Sequence, residues 1–108
     1  MHPVQQLTSE EQLEALIADS HIRPVLIFKH STRCSISIMA LNRMQNANPP
    51  LHFHLLDVIA SRALSNRVAE FFSVHHESPQ LLLIRNGQCV YDASHLEIQP
   101  KEIQQEMI

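Results

Sequence analysis

One cysteine, Cys34, occupies a position in the sequence that favours a reactive sulfur. It follows the apolar run Val25–Phe28, and Ile38 and Leu41 continue after it with the spacing of a helix. A helix N-terminus carries unpaired N–H groups and a partial positive charge, and both stabilise a thiolate. Because the thiolate is the form of cysteine that attacks disulfides, the sequence predicts that Cys34 is a nucleophile.

No second cysteine lies close to Cys34 in the sequence. Dithiol redox motifs place a partner two or three residues later, where this chain has Ile36 and Ser37. The chain's other cysteine, Cys89, is interpreted as core filler or a partly exposed bystander. The sequence therefore predicts one-thiol exchange, in which another molecule supplies the resolving sulfur.

The neighbours of Cys34 are expected to stabilise its thiolate. Arg33 contributes a positive charge, and Ser37 contributes a hydroxyl donor. Ser35 adds a backbone N–H group at the start of the helix. His30, at the end of the preceding apolar run, is interpreted as a structural residue.

Length and charge narrow the class of protein. With 108 residues, 44% of them apolar, the chain is predicted to form one globular domain over residues 1–108. A net charge of −3 with scattered Lys and Arg argues against nucleic acid as a partner. We recognise no signal peptide and no membrane-spanning run, and two cysteines are too few for a disulfide framework. We therefore expect a cytoplasmic protein with no membrane partner.

Helices and strands alternate along the chain, which predicts parallel strands joined by helical crossovers. An Asn-Gly pair predicts a hairpin that adds an antiparallel edge. The first predicted helix runs to about Asp19 and begins at a capping box, either Thr8/Glu11 or Ser9/Gln12. The other predicted elements are a strand at Val25–Phe28, a helix after Cys34, a strand at Leu51–Val58, a helix capped by Ser61, a strand at Gln80–Ile84, a hairpin turn at Asn86-Gly87, and a last helix from Pro100.

Several short motifs resemble those of one redox family. They are Lys29-His30-Ser31, Cys34-x-Ile36-Ser37, Ser78-Pro79, Asn86-Gly87 and Ala93-Ser94-His95. With these motifs the chain resembles, over nearly its whole length, the monothiol bacilliredoxins of bacillithiol-using bacteria, within the thioredoxin-like superfamily. Members typically read Thr-Cys-Pro-Ile-Ser at the active site, and here Arg33 and Ser35 replace the threonine and the proline.

This resemblance implies a thioredoxin-like α/β fold with a central mixed four-stranded sheet flanked by helices and an N-terminal helix. It also implies a cis Ser78-Pro79 bond that brings the backbone of Ser78 close to the reactive sulfur. Ser94 and His95 would border the site, with His95 binding the small thiol or protonating the leaving group.

The implied reaction is removal of a low-molecular-weight thiol, bacillithiol, from mixed disulfides of client proteins. Bacillithiol would be the co-substrate, and Lys29 and Arg33 are candidates to pair with its malate carboxylates. The implied partners are S-thiolated proteins and a small thiol or its reductase. We expect no metal site, and a monomer or a weak dimer.

Two other functions remain open from the sequence. A monothiol glutaredoxin that carries an iron–sulfur cluster typically shows Cys-Gly-Phe-Ser, and Cys34-Ser35-Ile36-Ser37 lacks the glycine and the aromatic residue. A thioredoxin-fold interaction module in which Cys34 is incidental is the alternative outside enzymology, because fold alone does not give function.

Overall fold

The computed structural model describes residues 4–108 and contains a five-stranded mixed sheet with four α-helices packed on its faces. The sheet order is β1-β3-β2-β4-β5. The elements are β1 Val4–Gln6, α1 Glu10–Asp19, β2 Val25–His30, α2 Ser35–Gln45, β3 Phe53–Asp57, α3 Arg62–Phe72, β4 Gln80–Arg85, β5 Gln88–Ser94, a 3-10 turn His95–Glu97, and α4 Pro100–Glu106.

The mixed character of the sheet follows from the connections between its strands. Strand β3 is parallel to β1 and β2, whereas β4 is antiparallel to both β2 and β5. All six residues of β2 are buried, because helices cover both faces of the sheet at its centre. The predicted α/β class and the mixed sheet are therefore confirmed.

The predicted number of strands was wrong by one. The structure adds β1 before the N-terminal helix, and it pairs with β3 through Val4↔Phe53 and Gln6↔Leu55. Its three residues, Val-Gln-Gln, show neither an apolar run nor an alternation long enough to indicate a strand. The neighbouring strand supplies the hydrogen-bond partners that make this segment extended.

Local signals set the helix start and the hairpin as predicted. The Ser9 hydroxyl accepts from the Gln12 N–H at 3.2 Å, and the Gln12 amide oxygen accepts from the Thr8 N–H at 2.7 Å. In the hairpin, Asn86 and Gly87 have φ angles of 55° and 74°, the left-handed pair of a type I′ turn.

We expect Gly87→Ala to lower the free energy of unfolding by about 1 kcal/mol, since an alanine at positive φ is strained. The added Cβ would also lie 3.4 Å from His21 Nε2. Denaturant unfolding of the Gly87→Ala variant measures this loss. Asn86→Gly is the matched control, because glycine readily adopts the left-handed conformation of position 86. Equal midpoints for the two variants would contradict the expectation.

A β-bulge in the hairpin determines on which faces of the sheet the side chains of Cys89 and Tyr91 lie. Leu83 pairs with Tyr91 and Ile84 pairs with Cys89, so one step on β4 matches two residues on β5. Regular alternation predicts that Cys89 and Tyr91 share a face. They pack instead into different cores, Cys89 beside α1 and α3 and Tyr91 beside α2 and α4, because the bulge reverses the alternation.

Candidate active site

Cys34 is the N-cap residue of α2, with extended backbone angles and a half-buried side chain. Its carbonyl accepts the first helical hydrogen bond, from Ile38 N–H at 3.1 Å. Its side chain makes no capping hydrogen bond to the N–H groups of the first turn. The sulfur lies at the N-terminal end of α2, where the positive end of the helix dipole favours a negative charge.

A buried hydrogen-bonded group fixes the segment between β2 and α2. The Ser37 hydroxyl accepts from Ser31 N–H at 3.0 Å and lies 2.6 Å from His30 Nδ1. The ring of His30 is buried and stacks on Phe28. Ser37 therefore joins the end of β2 to the first turn of α2 through hydrogen bonds, and Cys34 lies in the loop between them. We call His30, Ser31 and Ser37 the brace.

The other two predicted neighbours of Cys34 face solvent. Arg33 and Ser35 are both exposed, and the Arg33 backbone N–H donates to Ser31 Oγ at 3.4 Å. The Arg33 guanidinium has no hydrogen bond or ion pair within residues 4–108. No carboxylate of the described residues therefore neutralises its charge.

The register of the sheet brings Ser78 and Pro79 next to the end of β2. Lys29 pairs with Gln80, so the residues just before Gln80 lie beside the start of the Cys34 loop. The Ser78-Pro79 bond is cis. The Ser78 hydroxyl is buried with no hydrogen-bond partner within the described chain, and leaving such a group unpaired is unfavourable.

The Ser94-His95 segment borders the same region. Ser94 pairs with Gln80, His95 N–H donates to the Pro79 carbonyl at 3.0 Å, and the 3-10 turn contacts α2. One further residue lies here, Glu77, which no sequence motif indicated. Its carboxylate lies 3.6 Å from His95 Nε2 and 3.6 Å from His75 Nε2. Only tertiary structure joins these three side chains, since they come from two separate loops.

Lys29 cannot contact a small-thiol substrate at the surface as the sequence suggested. Its side chain is fully buried, and Nζ donates to the Ser65 carbonyl at 3.1 Å beneath α3. Lys29 is buried because it lies on the face of β2 that α1 and α3 cover.

Cys89 lies far from Cys34. It pairs with Ile84, four residues from Gln80 along β4, which is about 13 Å at the usual rise of a strand. Cys34 lies beyond the opposite end of the sheet, so the Cα separation exceeds what a disulfide spans. Burial, the main cause, raises the pKa of the Cys89 thiol to about 11.

Two further observations concern residues 4–108. None of their helices combines the length and apolar character needed to cross a membrane. No three of their His, Cys, Asp or Glu side chains are grouped in a way that could hold a metal ion.

Burial lowers the pKa of three histidines below 6.5, namely His30, His54 and His76. Below about pH 6.5 the unfolded chain therefore binds more protons than the folded chain, and the free energy of unfolding increases as the pH rises through this range. We expect the free energy of unfolding to decrease as pH falls below about 6.5.

Urea titrations at about pH 7.5 and about pH 5.5 measure this dependence. His54→Gln should reduce this dependence, because it removes one histidine whose pKa burial lowers. An unfolding free energy that is equal at both pH values would contradict the expectation.

Comparisons with known proteins agree with this geometry. A solved structure described as a candidate oxidoreductase with a thioredoxin fold superposes with a TM-score of 0.82 at 30% identity, covering 94% of this chain and 91% of that one. Thioredoxin Mala s 13 of Malassezia sympodialis gives 0.71 at 18% identity, covering 96% and 87%. Mitochondrial thioredoxin 3 of Saccharomyces cerevisiae gives 0.68 at 19% identity, covering 96% and 92%.

The last two comparisons show a thioredoxin-like fold, and a family model adds the more specific assignment. The model of the monothiol bacilliredoxin BrxC matches residues 5–103, which include the Cys34 loop, the cis-proline and the His95 turn. The chain is thus a thiol redox protein, and it belongs to the monothiol bacilliredoxin family.

Proposed function

We propose that this protein is a monothiol–disulfide oxidoreductase that removes bacillithiol from mixed disulfides of client proteins, with Cys34 as the nucleophile. The observation that carries the proposal is the half-buried sulfur at the N-cap of α2, without a second cysteine within reach. Family membership supports bacillithiol as the small thiol. We take residues 1–108 to act as a single domain.

The first step is attack of the Cys34 thiolate on the bacillithiol sulfur of the mixed disulfide. The client–bacillithiol S–S bond breaks, a new S–S bond joins Cys34 to bacillithiol, and the client leaves as a thiolate. A second bacillithiol thiolate then attacks the adduct, which forms oxidised bacillithiol and regenerates the Cys34 thiolate. A separate reductase returns the oxidised small thiol to its reduced form.

The residues around Cys34 have distinct roles in this proposal. The positive end of the dipole of α2, which begins at Ser35, favours the thiolate, and Arg33 pairs with a carboxylate of bacillithiol. Ser78, Pro79 and Ser94 line the side on which the client peptide binds. His95, beside Glu77, donates a proton to the departing client thiolate.

Mass spectrometry of the protein after incubation with a bacillithiolated peptide tests the proposal. We expect the mass of bacillithiol on Cys34 and release of the free peptide thiol. A glutathionylated peptide of the same sequence is the control for substrate choice. Transfer from the glutathionylated peptide alone would overturn the assignment of bacillithiol, and no transfer from either would favour the non-catalytic interaction module.

A further inference from the structure

Lys29 is a buried cation without a counter-ion. Its side chain is 0% exposed, and no carboxylate oxygen of residues 4–108 lies within 4.0 Å of Nζ. Nζ donates to the Ser65 carbonyl at 3.1 Å and lies 3.1 Å from His76 Nδ1. Both partners are uncharged near neutral pH, since burial first, and then the charge of Lys29, lowers the pKa of His76.

This arrangement is unfavourable for folding. An ammonium group loses hydration on burial, and neutral acceptors replace only part of it. Burial lowers the pKa of Lys29 to about 8, so the charged form still predominates at pH 7. Gln80, opposite Lys29 in the sheet, has its side-chain oxygen buried without a partner. Such departures from stable packing are typical of functional sites.

Both side chains hold the same stretch of chain. Lys29 contacts the ring of His76, and the Gln80 side-chain N–H donates to the His75 carbonyl at 2.9 Å. These residues belong to segment 75–78, which has no regular secondary structure and leads directly into the cis-proline. The position of segment 75–78 beside the Cys34 loop therefore depends on contacts that Lys29 and Gln80 make.

We propose that Lys29 is a positioning residue for thiol exchange, whose ammonium anchors segment 75–78 and thereby aligns the proline side of the site for the client peptide. This inference presupposes the proposed exchange function and deepens it. Lys29 touches neither the client nor the sulfur, and it acts through His76. Around His76 the charged or titratable groups are His75 and Glu77 on the same segment and Arg62 at the start of α3.

Lys29→Met tests the anchor, because methionine retains most of the apolar stem and lacks the donors. With a thiolated peptide as substrate, we expect KM to rise about tenfold while kcat stays near the wild-type value. Alkylation of Cys34 by iodoacetamide, which needs no client docking, should be unchanged. The melting temperature should stay equal or increase, because the buried charge is gone.

His76→Ala removes Nδ1, the acceptor of the Lys29 ammonium. Because His76 is exposed, this substitution should not prevent folding. The substitution also removes the 3.5 Å contact of His76 Nδ1 with Ser65 Oγ. The same rise in KM is expected, and the double variant should show no further rise, because both substitutions break the Lys29–His76 contact that forms the anchor. His52→Ala changes an exposed histidine just before β3, outside segment 75–78; it is the control and should keep the wild-type KM.

The outcomes separate this inference from the proposed function. Wild-type KM in Lys29→Met and His76→Ala would overturn the anchor while exchange by the wild type stands. A lower melting temperature together with slower alkylation in Lys29→Met would show a purely structural role and also overturn it. A wild-type protein that transfers no thiol from the peptide would overturn the proposed function, and the anchor with it.

Discussion

We expect Cys34→Ser to abolish the proposed thiol exchange, with a fall in rate of at least about a thousandfold, because a serine hydroxyl is not ionised at neutral pH and forms no disulfide. The variant should fold at least as well as the wild type. Serine is a favoured N-cap residue, and position 34 caps α2. Adduct transfer followed by mass spectrometry, together with a thermal melt, measures both effects.

Cys89→Ser is the matched control and should exchange at the wild-type rate. With a pKa of about 11, only about one Cys89 thiol in ten thousand is ionised at pH 7. The Cys89 sulfur also donates to the Tyr91 carbonyl at 3.4 Å, on the side of the sheet away from α2. An adduct on Cys89, or loss of transfer in Cys89→Ser, would contradict the one-thiol mechanism.

Ser37→Ala should lower the free energy of unfolding by about 2 to 3 kcal/mol, or roughly 10 °C in melting temperature. The substitution removes the hydroxyl that contacts both the Ser31 N–H and His30 Nδ1, and it leaves both groups without this partner at the start of the Cys34 loop. Because the same bonds hold the start of α2, alkylation of Cys34 should also become slower. Denaturant unfolding and iodoacetamide kinetics measure the two effects.

Ser78→Ala provides the comparison, because Ser78 also has a buried hydroxyl but one without a partner. Removing an unpaired buried hydroxyl leaves no orphaned group and takes away an unfavourable one, so the free energy of unfolding should stay equal or increase. Equal destabilisation by the two alanine substitutions would show that the loss at Ser37 comes from volume and not from its hydrogen bonds.

Much of the fold could be predicted because its signals are local. The Ser9 cap, the Asn86-Gly87 turn and Pro100 at the first position of α4 each constrain backbone angles within a few residues. The apolar run at Val25–Phe28 identified the central strand. Strand β1 could not be predicted, because its three residues are extended only through pairing with β3.

The site was predictable in part for the same reason. The position of Cys34 between a strand and a helix could be read from residues near it in the sequence. The brace of His30 and Ser37 spans seven residues, and neither residue type indicates that the hydroxyl points away from solvent. The contacts of Lys29 with α3 and segment 75–78 cross 36 and 47 positions in the chain.

The sequence by itself determined the place of Cys34 at the start of α2, the lack of a second thiol nearby in the chain and the α/β alternation, since all depend on residue type and short-range spacing. The tertiary structure alone decided that Lys29 is buried, that Glu77 meets His95, and that a bulge separates Cys89 from Tyr91. These features depend on which segments pack together, and burial, ion pairing and strand register arise only from contacts between residues distant in the chain.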